Sequence, residues 1–286
     1  MIQWYPGHMA KAKRILKKDL NLVDLVVEVL DARIPLSSRN PDLDRLLSKK
    51  ERVIALNKVD LADKEISKKW VKYFMEKYQV VEINSLTGKG IKSLLNIIAK
   101  LGKDINKKVL EKGRNKRDIR IMIIGIPNVG KSALINVLAG SNRAKTGNRP
   151  GVTRGRQWIS VGQEIQLLDT PGILWPKFND EEVGYKLAVT GAIREQVFDE
   201  EMVAYKLIQY LTMIDRDILE GKYHIDVSEG EITTSMAYDI LPEIGKKTGC
   251  LMSGGKVDRS KTASKLISSF RNGKLGSISL EVPGED

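Results

Sequence analysis

Short, nearly continuous apolar runs at Asp24–Leu30, Arg52–Leu56, Val80–Ile83 and Ile119–Ile124 alternate with helical spacing at Pro41–Leu47, Ile66–Tyr78, Ile91–Leu101 and Lys131–Leu138. Runs this short and without a polar face predict parallel strands covered on both sides by helices. Arg156–Val161 and Glu164–Leu168 alternate instead, and only Gly162 and Gln163 separate them, which predicts a hairpin at the sheet edge. After about Lys177 the strand pattern stops, and Glu182–Ala192, Met202–Ile214, Thr234–Lys247 and Arg259–Phe270 carry helical spacing. The expectation is an α/β fold with a mainly parallel sheet over residues 1–177, followed by a smaller all-α domain over residues 178–286. Between the helix ending near Leu101 and the strand at Ile119, the polar segment GKDINKKVLEKGRNKRD reads as a linker or exposed helix joining two halves of the sheet domain.

Composition changes this picture mainly through charge. Lys plus Arg number 48 against 36 Asp plus Glu, a net +12. The basic residues gather at Lys11, Lys13, Arg14, Lys17 and Lys18, at Lys107–Arg120 and at Lys246–Lys274. Any one such run is as well explained by a solvated helix face. Three separated zones favour a large folded polyanion, since each phosphate neutralised by Lys or Arg releases counterions. A membrane surface is the weaker partner: the helix expected over Ala10–Leu22 carries Ile15, Leu16, Leu20 and Leu22 but no aromatic residue on its apolar side. No apolar run approaches the roughly 18 to 20 residues that cross a bilayer, which excludes a membrane-spanning enzyme or transporter. Cys250 is the one cysteine, and His8 and His224 the two histidines. A disulfide framework and a Cys/His zinc site are therefore excluded, and a reducing cytoplasm is expected. The start MIQWYPGHMAKAKR has no apolar core followed by a cleavage site, so secretion is not expected.

The chemistry lies where strands end. Directly after Ile119–Ile124 comes GIPNVGKS, Gly125–Ser132, which has the GxxxxGK[ST] spacing and runs into a helix. Backbone N–H groups of Asn128, Val129, Gly130 and, at the helix start, Ser132 and Ala133 are placed to cradle phosphates. Lys131 reaches the β and γ phosphates, and the Ser132 hydroxyl suits Mg²⁺. At the end of the hairpin sits DTPG, Asp169–Gly172, where Asp169 can hold the metal through water and the Gly172 N–H can meet a γ phosphate. DxxG alone is more often a turn. Thr153, in RPGVTRG between the two motifs, can bring an oxygen to Mg²⁺; it rests on position alone. Arg52–Leu56 ends in NKVD, Asn57–Asp60. The Asp60 carboxylate can accept from guanine N1–H and the exocyclic amine, which adenine does not offer, while Lys58 lies along the base and Asn57 braces the loop. The next strand ends in NSLTGKG, placing Ser85 and the Leu86 amide at the base edge. An ATP-using P-loop kinase or ATPase would leave NKVD unexplained.

These elements resemble the translation-factor-related GTPases, except that NKVD and NSLTG precede GIPNVGKS, RPGVT and DTPG, so the chain looks like a circularly permuted P-loop GTPase. WYPGHM, DARIP at Asp31–Pro35, GIPNVGKS, DTPGILWP, GCLMSGG and FRNGKLG narrow this to a strong resemblance, over essentially the whole chain, to the bacterial ribosome biogenesis GTPase A family. The resemblance implies GTP as substrate and GDP as product, with Mg²⁺. It implies action on an immature large ribosomal subunit late in assembly, contact with ribosomal RNA and proteins through the basic helical domain, activation there, and a monomer off the ribosome. Many relatives of such enzymes carry a glutamine after DxxG that orients water; here that position is Ile173. The resemblance supplies two substitutes, Asn128 as part of a K⁺ site and His8 as a catalytic residue titrating near neutral pH. A GTP-sensing RNA-binding module with negligible hydrolysis is the alternative function. His224 and Cys250 have no supporting constellation. A small-subunit role is disfavoured because the chain shows neither an extra nucleic-acid-binding barrel nor a Cys/His metal site.

Overall fold

The structure is a computed structural model that describes residues 14–48, 50–140, 158–168, 180–193, 199–228, 230 and 232–284. It divides into two compact units, one of residues 3–59, 64–177 and 281–286, the other of residues 1–2, 60–63 and 178–280.

The first unit is built on β1 (Leu25–Asp31), β2 (Glu51–Asn57), β3 (Gln79–Glu82), β4 (Ile119–Ile124), β5 (Trp158–Val161) and β6 (Ile165–Leu168). Their spatial order is β3-β2-β1-β4-β6-β5, parallel throughout except for the β5–β6 hairpin at the edge. All seven residues of β1 are buried, which is why the central strand reads as an apolar run broken only by Glu28 and by Asp31 at its end. The helices of this unit are α1 (Pro41–Leu47), α2 (Lys64–Met75), α3 (Ile91–Glu111) and α4 (Lys131–Ala139). Residues 14–20 are also helical, and Leu16 and Leu20 pack with Val26, Met122 and Leu168 of the sheet. Leu16 and Leu20 of the apolar side expected to meet a membrane are thus spent on the core, while Ile15 is exposed. Of the two readings of the segment after Leu101, linker or exposed helix, the helix is the one found: α3 continues ten residues beyond Leu101 to Glu111. Gly102 sits so close to Ile119 that an added Cβ would lie 2.7 Å from its Cγ1, and Asn106 is tied to Arg117, its Nδ2 donating to the carbonyl at 3.1 Å.

The second unit contains α5 (Glu181–Val189), α6 (Glu200–Ile214), α7 (Asp217–Tyr223), α8 (Thr234–Lys247) and α9 (Arg259–Arg271), α7 being an element the sequence pattern did not suggest. Asp180, Asp199, Thr233 and Asp258 each cap a helix by accepting a first-turn N–H, which fixes where four of these helices begin. Their apolar stripes meet in one core around Leu207, Leu211, Leu241, Leu266 and Phe270. Residues 60–63 join this unit through three hydrogen bonds: Ser277 Oγ to the Asp60 carbonyl at 3.1 Å, Ile278 N to the Leu61 carbonyl at 2.9 Å and Asp63 N to Ser279 Oγ at 3.1 Å.

Candidate functional site

Strand order runs one way from β1 through β2 to β3 and the other way from β4 through β6 to β5, so the carboxyl ends of β1 and β4 open the crevice where doubly wound sheets bind ligands. The motifs converge there. Strand β1 ends at Asp31, β2 at Asn57, β3 leads to Asn84 and Ser85, and β4 to Gly125.

Asn57 joins the loops that follow β2, β3 and β4. Its buried carboxamide donates to the Val129 carbonyl at 2.7 Å and to Ser85 Oγ at 3.0 Å, and its Oδ1 accepts from Ser85 N at 2.9 Å. Every polar atom of the group is used, as a buried amide requires. Gly130 is what permits this approach, since a Cβ there would stand 2.1 Å from Asn57 Nδ2, and its φ of +109° disfavours any other residue as well. Gly125, at φ +151°, likewise lets the strand end pass the Val29 carbonyl, which a Cβ would meet at 2.6 Å.

Lys58 adopts a left-handed backbone, φ +63°, uncommon outside glycine. Its Nζ lies 2.9 Å from Asp31 Oδ2. The same carboxylate takes a fork from Arg33, Nε to Oδ1 at 3.0 Å and Nη2 to Oδ2 at 2.8 Å, with the Arg33 N–H adding a third bond at 3.1 Å. Burial alone would raise the Asp31 pKa; the two cations and their hydrogen bonds outweigh it and hold the carboxyl well below the usual carboxylate range. Asp31 and Arg33 were not singled out as site residues. The Asp-x-Arg spacing that lets the fork close on itself was in view only as part of DARIP. Asn84 was missed too: its Oδ1 accepts from Leu86 N at 2.9 Å and Thr87 N at 3.0 Å. The Leu86 amide, expected at a base edge, is engaged in that turn, and its side chain is exposed. Asp60 follows Lys58 by two residues and is exposed.

In the loop after β4, Asn128 is left-handed at φ +58°, Val129 is buried, and α4 begins at Lys131 with Ser132 exposed and Ala133 half-buried. The Lys131 ammonium is buried and donates to the Ile126 carbonyl at 2.5 Å. Burial brings its pKa down to about 8. Among the described residues no carboxylate offsets that cost, an arrangement suited to a site whose counter-charge arrives with an anionic ligand. His8, Thr153, Asp169 and Gly172 lie outside the described residues. Among the described residues, no group of three or more His, Cys, Asp or Glu side chains forms a metal centre, and no helix is long and apolar enough to cross a membrane.

The chain is similar to known GTPases. Residues 120–223 match a family model described as a 50S ribosome-binding GTPase. Ribosome biogenesis GTPase A of Bacillus cereus is 46% identical over 286 residues, covering 100% of this chain and 95% of its own. The Thermotoga maritima protein of the same name is 34% identical over 282 residues, covering 99% and 95%. The crystal structure of GNP-bound YlqF from T. maritima superposes with a TM-score of 0.68 at 29% identity, covering 96% of this chain and 100% of that one. A GDP-bound structure of YlqF from the same source gives the same score at 28% identity, covering 95% and 100%. The fold is that of a circularly permuted P-loop GTPase, and the chain belongs to the ribosome biogenesis GTPase A family.

Proposed function

We propose that this protein binds and hydrolyses GTP on an immature large ribosomal subunit and couples that cycle to a late step of its assembly. The observation that carries the reading is the convergence, through Asn57, of the NKVD loop, Ser85 and the phosphate loop at one sheet end. In this reading Asp60 accepts from guanine N1–H and the 2-amino group, Lys58 covers the base, and Ser85 lies at its edge. The N–H groups from Asn128 to Ala133 and the Lys131 ammonium hold the phosphates. An ATP-specific enzyme has no use for that carboxylate beside the base. The GNP- and GDP-bound states of YlqF support the choice of nucleotide.

Mg²⁺ fits this donor set, because the exposed Ser132 hydroxyl at the start of α4 is a hard oxygen ligand next to the phosphate site. When bound, the metal neutralises charge on the β and γ phosphates. Thr153 and Asp169 would complete its shell, Gly172 would sense the γ phosphate, Asn128 would share a K⁺ ion, and His8 would position water. The expected helical domain, residues 178–286, is in this reading the helical unit of residues 60–63 and 178–280, its last six residues belonging to the sheet unit; the basic residues of its α8 and α9 face ribosomal RNA and proteins, and the protein works in the cytoplasm as a monomer when off the particle.

The test is GTP turnover with and without large-subunit precursor particles, in K⁺ and in Na⁺. Slow turnover that particles accelerate in K⁺ is expected. Particle binding that responds to GTP without acceleration in either salt favours the alternative, a GTP-sensing RNA-binding module. Equal competition by ATP overturns both.

A further inference from the structure

We infer that Glu281, near the end of the chain, is a positioning residue for Lys58 and so for guanine recognition; the inference rests on the guanine-site reading above. The segment 281–286 belongs to the sheet unit, and Glu281 is buried within it. Its Oε2 accepts from Leu36 N at 2.8 Å and Oε1 from Ser37 N at 3.2 Å, with the Ser37 hydroxyl donating a further short bond to Oε1. Its carbonyl accepts from Trp70 Nε1 at 2.9 Å, and Trp70 is fully buried, so the backbone at Glu281 is fixed as firmly as its side chain. One carboxylate thus organises the amides of a turn that contributes no residue to the sheet.

That turn is the continuation of β1. From Asp31 to Ser38 the chain folds on itself, Ile34 N donating to the Asp31 carbonyl at 3.0 Å and Ser38 N to the Ile34 carbonyl at 2.9 Å. Ser38, beside the residues Glu281 holds, accepts the Asp31 N–H at 3.0 Å through its Oγ and donates to the Pro35 carbonyl at 3.2 Å. Ala32 N reaches the Asn57 carbonyl at 2.8 Å. Asp31 in turn sets the Lys58 ammonium at 2.9 Å. A path therefore runs from Glu281 by hydrogen bonds to Leu36 and Ser37, along the chain to Ser38, by hydrogen bond to Asp31 and by ion pair to Lys58. An acid that only closed the core would not need to meet two successive backbone N–H groups and a hydroxyl of the same turn. Without it those donors are left buried and unmet, and the turn relaxes at the end that fixes Asp31.

The experiment uses the full chain and a double-mutant cycle on GDP affinity. Glu281→Gln, which keeps size and removes charge, is expected to weaken GDP binding about fivefold and to raise KM for GTP with kcat unchanged. Lys58→Met weakens GDP binding by itself, and adding Glu281→Gln to it costs nothing further, because the path already ends in a missing ammonium. An equal loss in both backgrounds, or a lowered melting temperature with GDP affinity unchanged, overturns the inference. If Lys58→Met binds GDP as the parent does, the guanine reading fails and the inference falls with it. Should Glu281→Gln not fold, Ser37→Ala, which removes one donor to the same carboxylate, carries the comparison in both backgrounds with the same criteria.

Discussion

Asn57 and Val129 stand 72 positions apart in the chain, yet the Asn57 carboxamide donates to the Val129 carbonyl at 2.7 Å. The NKVD loop and the loop after β4, proposed to read the base and hold the phosphates, are thereby tied together although they lie in different halves of the sequence. Asn57→Ala leaves the Ser85 N–H and the Val129 carbonyl without their buried partner, a cost of about 1–3 kcal/mol for each. GDP affinity is expected to fall at least about tenfold, measured by equilibrium fluorescence titration. Gly130→Ala should fail in the same direction, since its methyl group would occupy the place of Asn57 Nδ2. A Gly130→Ala protein that binds GDP normally would show that the two loops do not act together.

If Lys131 meets the phosphates as proposed, nucleotide binding should be proton-linked. Its folded-state pKa, without ligand, is lowered by burial from 10.5 to about 8. Between those values the unfolded chain holds a proton that the folded one has released, so this group makes folding stability rise with pH across that window. Phosphate restores the charged form. Above about pH 8 nucleotide binding should therefore take up a proton, and affinity should fall as pH climbs toward about 10. Calorimetry of GDP binding at about pH 8.5 in buffers of different ionisation enthalpy reads this uptake directly. Lys131→Met should abolish both uptake and tight binding without lowering the ligand-free melting temperature, because it removes a buried charge. Absence of uptake in the parent would mean that phosphate does not meet this ammonium.

A second buried charge set is structural. Glu28, inside β1, pairs with Arg52 of β2 at 3.0 Å; Arg52 also meets Asp44 of α1 at 2.6 Å, and Arg39 joins Asp44 at 2.7 Å and the Tyr78 hydroxyl at 2.8 Å. Both guanidinium groups lie over the Tyr78 ring, at 5.2 and 4.9 Å from its centroid. Burial pushes the Glu28 carboxyl upward against the pull of Arg52 and Arg39, so its ionised form depends on those cations. Arg52→Met should cost about 3–5 kcal/mol in urea unfolding, and adding Glu28→Gln should recover part of it because the orphaned carboxylate is gone. Additive losses would show that the pair does not interact across the strands.

Sequence pattern located β1, β2 and β4 within a residue or two, because strands buried on both faces leave little room for polar residues, and it placed GIPNVGKS and NKVD correctly at strand ends. It failed where tertiary contact replaces periodicity. The stretch from Gly102 to Glu111 left a linker and an exposed helix undecided, because the contacts that keep it helical, Gly102 against Ile119 and Asn106 on the Arg117 backbone, lie outside its own pattern. Helix α7, DILEGKY, buries only Leu219 and Tyr223, so no apolar stripe marks it in the sequence. Asp31 has the look of a turn-forming acid until Lys58 and Arg33 close on it. Glu281 was unreadable for a plainer reason: its partner Leu36 is 245 positions away, and no local pattern marks a carboxylate that caps a distant turn.

The sharpest discriminating change is Asp60→Asn. A carboxylate beside the purine accepts from two adjacent guanine donors, N1–H and the 2-amino group. A carboxamide offers one acceptor and one donor there, which matches xanthine, where a carbonyl replaces the amine. Because the mismatch leaves a buried polar group unmet, the ratio of XDP to GDP affinity should rise by at least about 100-fold, while Lys131 and the phosphate-loop amides remain as they were. Asp60 is exposed without nucleotide, so the substitution should leave the melting temperature of the free protein within about 0.5 kcal/mol equivalent of the parent, and any loss of binding can be assigned to the base. Competition of GDP and XDP for one fluorescent guanine or xanthine probe measures the ratio. A variant that keeps its preference for GDP would mean that NKVD in this chain is a turn and that base selection resides elsewhere.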